Sequence, residues 1–266
     1  MRQLVVTVDQ TDVELASDAL WGLGVVAVEE RASLDGNVEL WTSIGDEALD
    51  SDVRLPQPWP FRFVEVDETI ADTWRQFAQP VWVDADLVVR PAWVQFEAPI
   101  GVTVLHIEPG ATFGMGDHPT TILSLRAIRR LVQPGCTVLD VGCGSGVLAI
   151  GACVFGAASA VAVDIAPAAV PVSTANAVHN GVAERIEVST TDLADVKGTY
   201  DLVVANILAP TLIALANDLQ RVLADGGALV ISGILTIAHE HVLAALEPLR
   251  VVATDEMDGW AAITLR

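Results

Sequence analysis

The chain has 266 residues, 52% of them hydrophobic and 18% charged, with 35 acidic side chains against 14 basic ones and a formal net charge of −21. That composition builds a real core, in one large domain or two smaller ones, and excludes a disordered or fibrous protein. So acidic a surface repels phosphate backbones; direct nucleic-acid binding is not expected, whereas a basic protein partner is compatible with it.

In chain order, Leu4 to Val8 forms a short β-branched run. Thr11 and Glu14 then have capping-box spacing, and Ala16, Ala19, Leu20 and Leu23 fall on one helical face before Gly24. Val25 to Val28 and Val38 to Trp41 are expected strands, and Phe61 to Val66 a fourth after the Pro56, Pro58 and Pro60 cluster. With a short second helix around Asp46 to Leu49, residues 1–66 follow a ferredoxin-like α+β order. Residues 67–80 place Ile70, Trp74 and Phe77 at helical spacing and form an expected linker helix.

From Val81 onward the pattern becomes α/β, over residues 81–266. Pro119 opens a helix carrying Ile122, Leu125, Ile128 and Leu131, closed by Pro134-Gly135. Strand-like runs follow at Val138–Val141, Ala160–Asp164, Ile186–Ser189, Leu202–Ala205 and Leu229–Ser232, most with helical segments between them. Arg250–Ala253 and Ala261–Leu265, separated by acids and Gly259, suggest a terminal hairpin. Alternating strands and helices imply a parallel doubly wound sheet with an antiparallel edge. The uncharged stretch Val141 to Val163 is long enough to span a bilayer, yet it holds five glycines and no basic flank, so it is expected as strand, turn, helix and strand. Cys136, Cys143 and Cys153 form no C-x-x-C pair, and Met1 to Asp9 is too short and too soon charged for a signal peptide. A soluble cytoplasmic protein with reduced thiols and no metal site is expected.

The sharpest local signal is Val138-Leu139-Asp140-Val141-Gly142-Cys143-Gly144-Ser145-Gly146, an apolar strand entering a glycine turn before a helix. A dinucleotide turn would want its third glycine at position 147, where Val147 stands, so G-x-G-x-G replaces G-x-G-x-x-G. This turn resembles the first motif of Rossmann-like S-adenosylmethionine methyltransferases. Asp164 closes the next strand, where a carboxylate can accept both ribose hydroxyls of an adenosyl ligand. A tight turn with a helix-capping Asp is the plainer alternative. Asp192 could accept from an adenine amino group or serve as an exposed loop acid. Asn206 ends the strand Tyr200 to Asn206, where its carbonyl can accept from an amine or form a turn before Pro210. His118 could act as a base, but its place before Pro119 fits a helix-capping role better.

The segment Pro109-Gly110-Ala111-Thr112-Phe113-Gly114-Met115-Gly116-Asp117-His118-Pro119-Thr120-Thr121 makes the resemblance specific. With the glycine turn, the strand ending in Asp164, Val203-Val204-Ala205-Asn206-Ile207-Leu208-Ala209, Ser232-Gly233-Ile234-Leu235 and Trp260, it is similar to the ribosomal protein L11 methyltransferase family over residues 70–266. The resemblance implies a seven-stranded Rossmann-like sheet behind a small N-terminal substrate-recognition domain. It implies S-adenosyl-L-methionine as cofactor and methylation of lysine ε-amines and an N-terminal α-amine on a basic ribosomal protein, by a monomer. Thr121, Gly142, Asp164 and Asn206 would contact the cofactor beside Gly144 and Gly146, with Phe113 and Gly114 in a loop over its methionine part. Met115 and Asp117 depart from the family pattern and bear on the amine channel. A small-molecule methyltransferase, a dinucleotide oxidoreductase and a non-catalytic cofactor module are the competing functions. Val147 and the lack of a Tyr-x-x-x-Lys motif oppose the oxidoreductase.

Overall fold

The computed structural model describes the chain apart from residues 1, 22, 24, 26–27, 34–35, 43–52, 66–77, 109–115 and 238. It divides into two compact units, Met1–Ala78 and Gln79–Arg266. The expected second N-terminal helix around Asp46, and the linker helix with Ile70, Trp74 and Phe77, lie outside the described residues.

In the first unit, β1 (Arg2–Val8), α1 (Val13–Trp21), β2 (Val28–Ala32), β3 (Val38–Thr42) and β4 (Phe61–Glu65) follow in turn. The four strands pair in the order β2-β3-β1-β4, antiparallel throughout, as in a split β-α-β unit. Leu4, Val6, Val8, Leu40, Ala16 and Leu20 share one core beneath α1. Two expectations shift. Strand β2 begins where Val25–Val28 was expected to end, because Val25 enters the core while the polar residues after Val28 pair with β3 at the sheet edge. Thr11 is not a helix cap. It lies in a 3-10 turn, Gln10–Asp12, that brings the Asp12 carboxylate within 2.9 Å of the Trp59 indole N–H.

The second unit opens with a sheet that the sequence reading did not anticipate. Strands β5 (Val81–Asp84) and β6 (Leu87–Pro91) form a hairpin, and β7 (Thr103–Ile107) runs parallel to β6. Then come α2 (Pro119–Leu131), β8 (Thr137–Val141), α3 (Val147–Val154), β9 (Ser159–Val163), α4 (Ala169–His179), β10 (Ile186–Ser189) and β11 (Tyr200–Asn206). The chain ends with α5 (Ala209–Ala214), α6 (Ala216–Arg221), β12 (Leu223–Leu235), α7 (Glu240–Ala245), β13 (Val251–Met257) and β14 (Trp260–Leu265).

Seven of these strands form one sheet, β10-β9-β8-β11-β12-β14-β13, parallel except where β14 meets β12 and β13. Both faces are covered. Val204 and Val230 pack with Leu125, Ile128 and Ile150 on one side. Val203 and Ile231 pack with Leu212, Leu219 and Val242 on the other. Gly151 lets α2 approach α3 closely, since a Cβ there would lie 2.7 Å from Leu125 Cδ2. The chain builds outward from β8 to β10, then crosses back to β11. The switch point of the sheet therefore lies between the carboxyl ends of β8 and β11, where open α/β sheets bind ligands.

Candidate active site

Beyond Val141 the chain turns through Gly142, Gly144 and Gly146 at φ of 73°, 51° and 79°, which glycine adopts at little cost. A Cβ on Gly142 would lie 2.4 Å from Ile207 Cγ2, so the turn and the residue after Asn206 are in direct contact. Gly233 presses on Ile207 as well, with its missing Cβ 2.5 Å from the Ile207 carbonyl oxygen. Ile207 is thus gripped between two glycines, and the end of β11 is fixed beside the turn.

Four amides of this turn are engaged within the protein. Gly142 N and Cys143 N donate to Val163 O at 2.9 and 3.1 Å, and Gly146 N donates to Cys143 O at 2.8 Å. Gly144 N donates to Asp164 Oδ2 at 2.8 Å, and Ala166 N to Asp164 Oδ1 at 2.9 Å. In the first turn of α3, Ala149 N donates to Asp140 Oδ2 at 3.1 Å. A pyrophosphate ligand needs free amides at a helix N-terminus. Here the Gly142, Cys143, Gly144, Gly146 and Ala149 amides have partners, and the Asp140 and Asp164 carboxyl groups flank the turn. The acceptor capacity left on Asp164 suits a ligand with hydroxyls to donate.

Asp140 is fully buried, and burial pushes its carboxyl up to about 7; the bond from Ala149 opposes this and the Asp164 charge adds to it. Its Oδ1 has no hydrogen-bond partner among the described residues. Burial also raises the Cys143 thiol, which makes it an inert apolar group rather than a nucleophile.

These strand ends and this turn stand in the order a known family uses. The chain matches the family model described as "Ribosomal protein L11 methyltransferase (PrmA)" over residues 60–266. The chain belongs to the ribosomal protein L11 methyltransferase family. A relative of that name from Pelotomaculum thermopropionicum is 43% identical over 203 residues, covering 75% of this chain and 66% of its own length. One from Symbiobacterium thermophilum is 38% identical over 237 residues, covering 88% of this chain and 75% of its own. The solved ribosomal protein L11 methylase from Lactobacillus delbrueckii subsp. bulgaricus is 31% identical with a TM-score of 0.65, across 70% of this chain and 96% of that one.

Several expected site residues of the methyltransferase come together at the switch point, and others do not. Gly142, Gly144, Gly146, Asp164 and Asn206 stand at the ends of β8, β9 and β11. The Asn206 side chain is half-buried and forms no hydrogen bond among the described residues. Thr121 lies in the first turn of α2, fully buried, its Oγ1 also without a partner among the described residues. Asp192 lies farther out, beyond edge strand β10. It caps a 3-10 turn by accepting from Ala194 N at 2.9 Å. Phe113, Gly114 and Met115 fall outside the described residues.

His118 is the N-cap of α2, accepting from Thr120 N at 3.3 Å through Nδ1, which also lies 2.7 Å from Thr120 Oγ1. Its ring meets Trp260 edge to face at 4.9 Å. Burial holds the imidazole below its ordinary pKa, with Asp117 opposing. The capping role accounts for its position.

Two residues escaped the sequence reading. Ile165, directly after Asp164, is 68% exposed, an apolar surface beside a carboxylate at a strand end. Asp140 was visible as one acid within an apolar strand, a placement that tertiary structure tolerates only with a partner.

Proposed function

We propose that this chain transfers methyl groups from S-adenosylmethionine to lysine ε-amines and the N-terminal α-amine of ribosomal protein L11, the substrate named for its relatives. The observation that carries this reading is the glycine turn at the switch point, with Gly144 N bonded to the Asp164 carboxylate that closes the next strand.

Both Asp164 oxygens keep a lone pair beyond their bonds to Gly144 N and Ala166 N, enough for two ribose hydroxyls. The exposed Ile165 side chain offers an apolar face to an adenine ring, and Asp192 accepts from its amino group through the oxygen not used in its cap. Phe113, Gly114 and the Thr121 hydroxyl serve the methionine part. The bound cofactor supplies a methyl group already activated by its sulfonium, so the protein has to align a neutral amine with it and exclude water. Asn206 accepts from an amine N–H through its side-chain carbonyl and so directs the nitrogen lone pair. A lysine arrives charged, and its proton leaves to solvent before attack. The N-terminal unit, with thirteen acids and four arginines over residues 1–66, recognises the basic substrate protein. The enzyme works as a cytoplasmic monomer without nucleic acid; among the described residues no helix is long and apolar enough to cross a membrane.

The test is incubation with radiolabelled S-adenosylmethionine and purified large-subunit ribosomal proteins. Label in L11, at lysines and the N-terminus by mass spectrometry, is the expected result. Label confined to another protein or to small molecules would overturn the substrate assignment.

A further inference from the structure

Helix α4 carries a polar stripe on its inward side. Ser173, Asn176 and Asn180, the last at its C-terminal end, follow at i, i+3 and i+7, a spacing that keeps all three on one face. Ser173 and Asn176 are fully buried, where polar groups persist only if hydrogen-bonded. All three side chains bond to backbone.

Two of them complete a strand edge. Strand β7 is an edge strand, paired on one side with β6, so alternate residues turn their N–H and C=O toward open space. Asn180 fills that place at His106, accepting from His106 N at 2.9 Å and donating to His106 O at 2.7 Å. Asn176 does the same two residues on, accepting from Glu108 N at 2.9 Å and donating to Glu108 O at 2.8 Å. Each carboxamide acts as a substitute peptide unit.

The two carboxamides differ in their second bond: the Asn180 amide nitrogen also donates to Asn176 O at 2.8 Å, within the helix. The Asn176 amide nitrogen also donates to Ser145 O at 2.9 Å, inside the glycine turn. Ser173 donates to the neighbouring carbonyl, Gly144 O, at 2.8 Å. The helix lies against the turn so closely that a Cβ on Gly146 would fall 2.9 Å from Ser173 Cβ and Oγ. The amide side of the turn faces Val163 and Asp164; two successive carbonyls of its other side are held by α4.

We infer that Asn176, with Ser173, is a positioning residue for the methyl-transfer cofactor, locking the glycine turn by its carbonyls and tying it to Glu108 at the end of β7. This rests on the S-adenosylmethionine reading given above. With both carbonyls fixed, the Gly144–Ser145 and Ser145–Gly146 peptide planes cannot rotate; the second carries Gly146 N, which donates to Cys143 O and so holds the Cys143–Gly144 peptide whose N–H is directed at Asp164. The ribose-binding carboxylate is thereby oriented through the turn rather than by contacts of its own side chain alone. The same carboxamide fixes Glu108, from which the chain continues into the segment bearing Phe113 and Gly114.

The experiment compares S-adenosylhomocysteine binding by calorimetry in the full-length wild type, Asn176→Ala, Ser173→Ala and Asn180→Ala, with melting temperatures alongside. Asn180→Ala removes the equivalent strand-edge bonds and a bond to Asn176 O within α4, without touching the turn, so it reports the structural cost. Asn176→Ala should weaken binding about tenfold and Ser173→Ala severalfold, as expected for lost buried hydrogen bonds that fix a site. Asn180→Ala should lower the melting temperature and leave affinity within about twofold. Ser173→Ala removes one hydroxyl and keeps the packing, so the comparison stands even where Asn176→Ala fails to fold. If the wild type binds and neither turn-facing variant binds more weakly than Asn180→Ala, the positioning role is wrong while the cofactor reading survives. A wild type that binds no S-adenosylhomocysteine overturns both.

Discussion

Asp164 accepts from two backbone amides, so removing its carboxylate releases the turn as well as the ribose hydroxyls it is proposed to hold. Asp164→Ala should lower S-adenosylmethionine affinity by about 1–3 kcal/mol, the scale of lost charge-assisted hydrogen bonds; unchanged affinity by calorimetry would remove it from the site. Asn206 has no such internal duty. Asn206→Ala should cut turnover much more than cofactor affinity, and normal turnover at saturating substrate would reduce it to a strand-end turn. Asp140 makes a pH prediction with a definite sign. Its folded pKa of about 7 lies above the ordinary carboxylate value, so the folded state holds a proton that the unfolded state releases. Its contribution to stability is present in acid and is lost as pH rises from about 4 to about 7. Asp140→Asn keeps an acceptor for Ala149 N without the charge. Its denaturation midpoint should depend less on pH across that window than the wild type's, and parallel profiles would contradict the shift.

Strand β12 bends where Gly233 stands as an extra residue, since Ser232 pairs with Ala262 while Ile234 pairs with Ala261. Its φ of 84° and its contact with the Ile207 carbonyl leave no room for a side chain. Gly233→Ala should destabilise the fold by about 1–3 kcal/mol and displace Asn206, with a fall in turnover beyond what the melting temperature explains. Wild-type turnover in a folded variant would show that the bulge serves packing alone. The same elements show what the sequence disclosed. The terminal hairpin was legible because Asp258 and Gly259 both take positive φ, as a two-residue turn requires, and Gly259 marks the break. The glycine turn and the strand ends at Asp164 and Asn206 were legible because buried parallel strands are continuous apolar runs closed by a polar residue. The sheet of β5, β6 and β7 was not, because its strands are four or five residues long and Pro91, Trp93 and Pro99 interrupt the pattern between them. Strand β2 was misplaced because Glu29, Glu30 and Arg31 look like loop, whereas an edge strand pairs through its backbone. The links from α4 to the turn were invisible, since Asn176 and Ser145 meet only in three dimensions.

Across the whole chain, the proposed function assigns recognition to the first unit and chemistry to the second. A chain truncated to begin at Asp67 should fold, bind S-adenosylmethionine as the full chain does, and fail to methylate intact L11. Methylation by the full-length protein should weaken as salt rises, because docking of an acidic surface on a basic protein rests on exposed charge. Truncated enzyme working on L11 at the full-length rate would make the first unit merely structural. The large sheet carries a further consequence, for the order in which it is made. Strand β14 lies between β12 and β13 yet follows both in sequence, and from Ala261 to Leu265 every residue is buried. During synthesis, β12 and β13 leave the ribosome with no strand between them, and β12 waits with an unpaired edge until Trp260–Leu265 emerge. A message cut shortly before codon 260 would release every proposed site residue on a chain that cannot close its sheet. Such products should turn up in aggregates or be degraded, and they should not survive as weakly active enzyme.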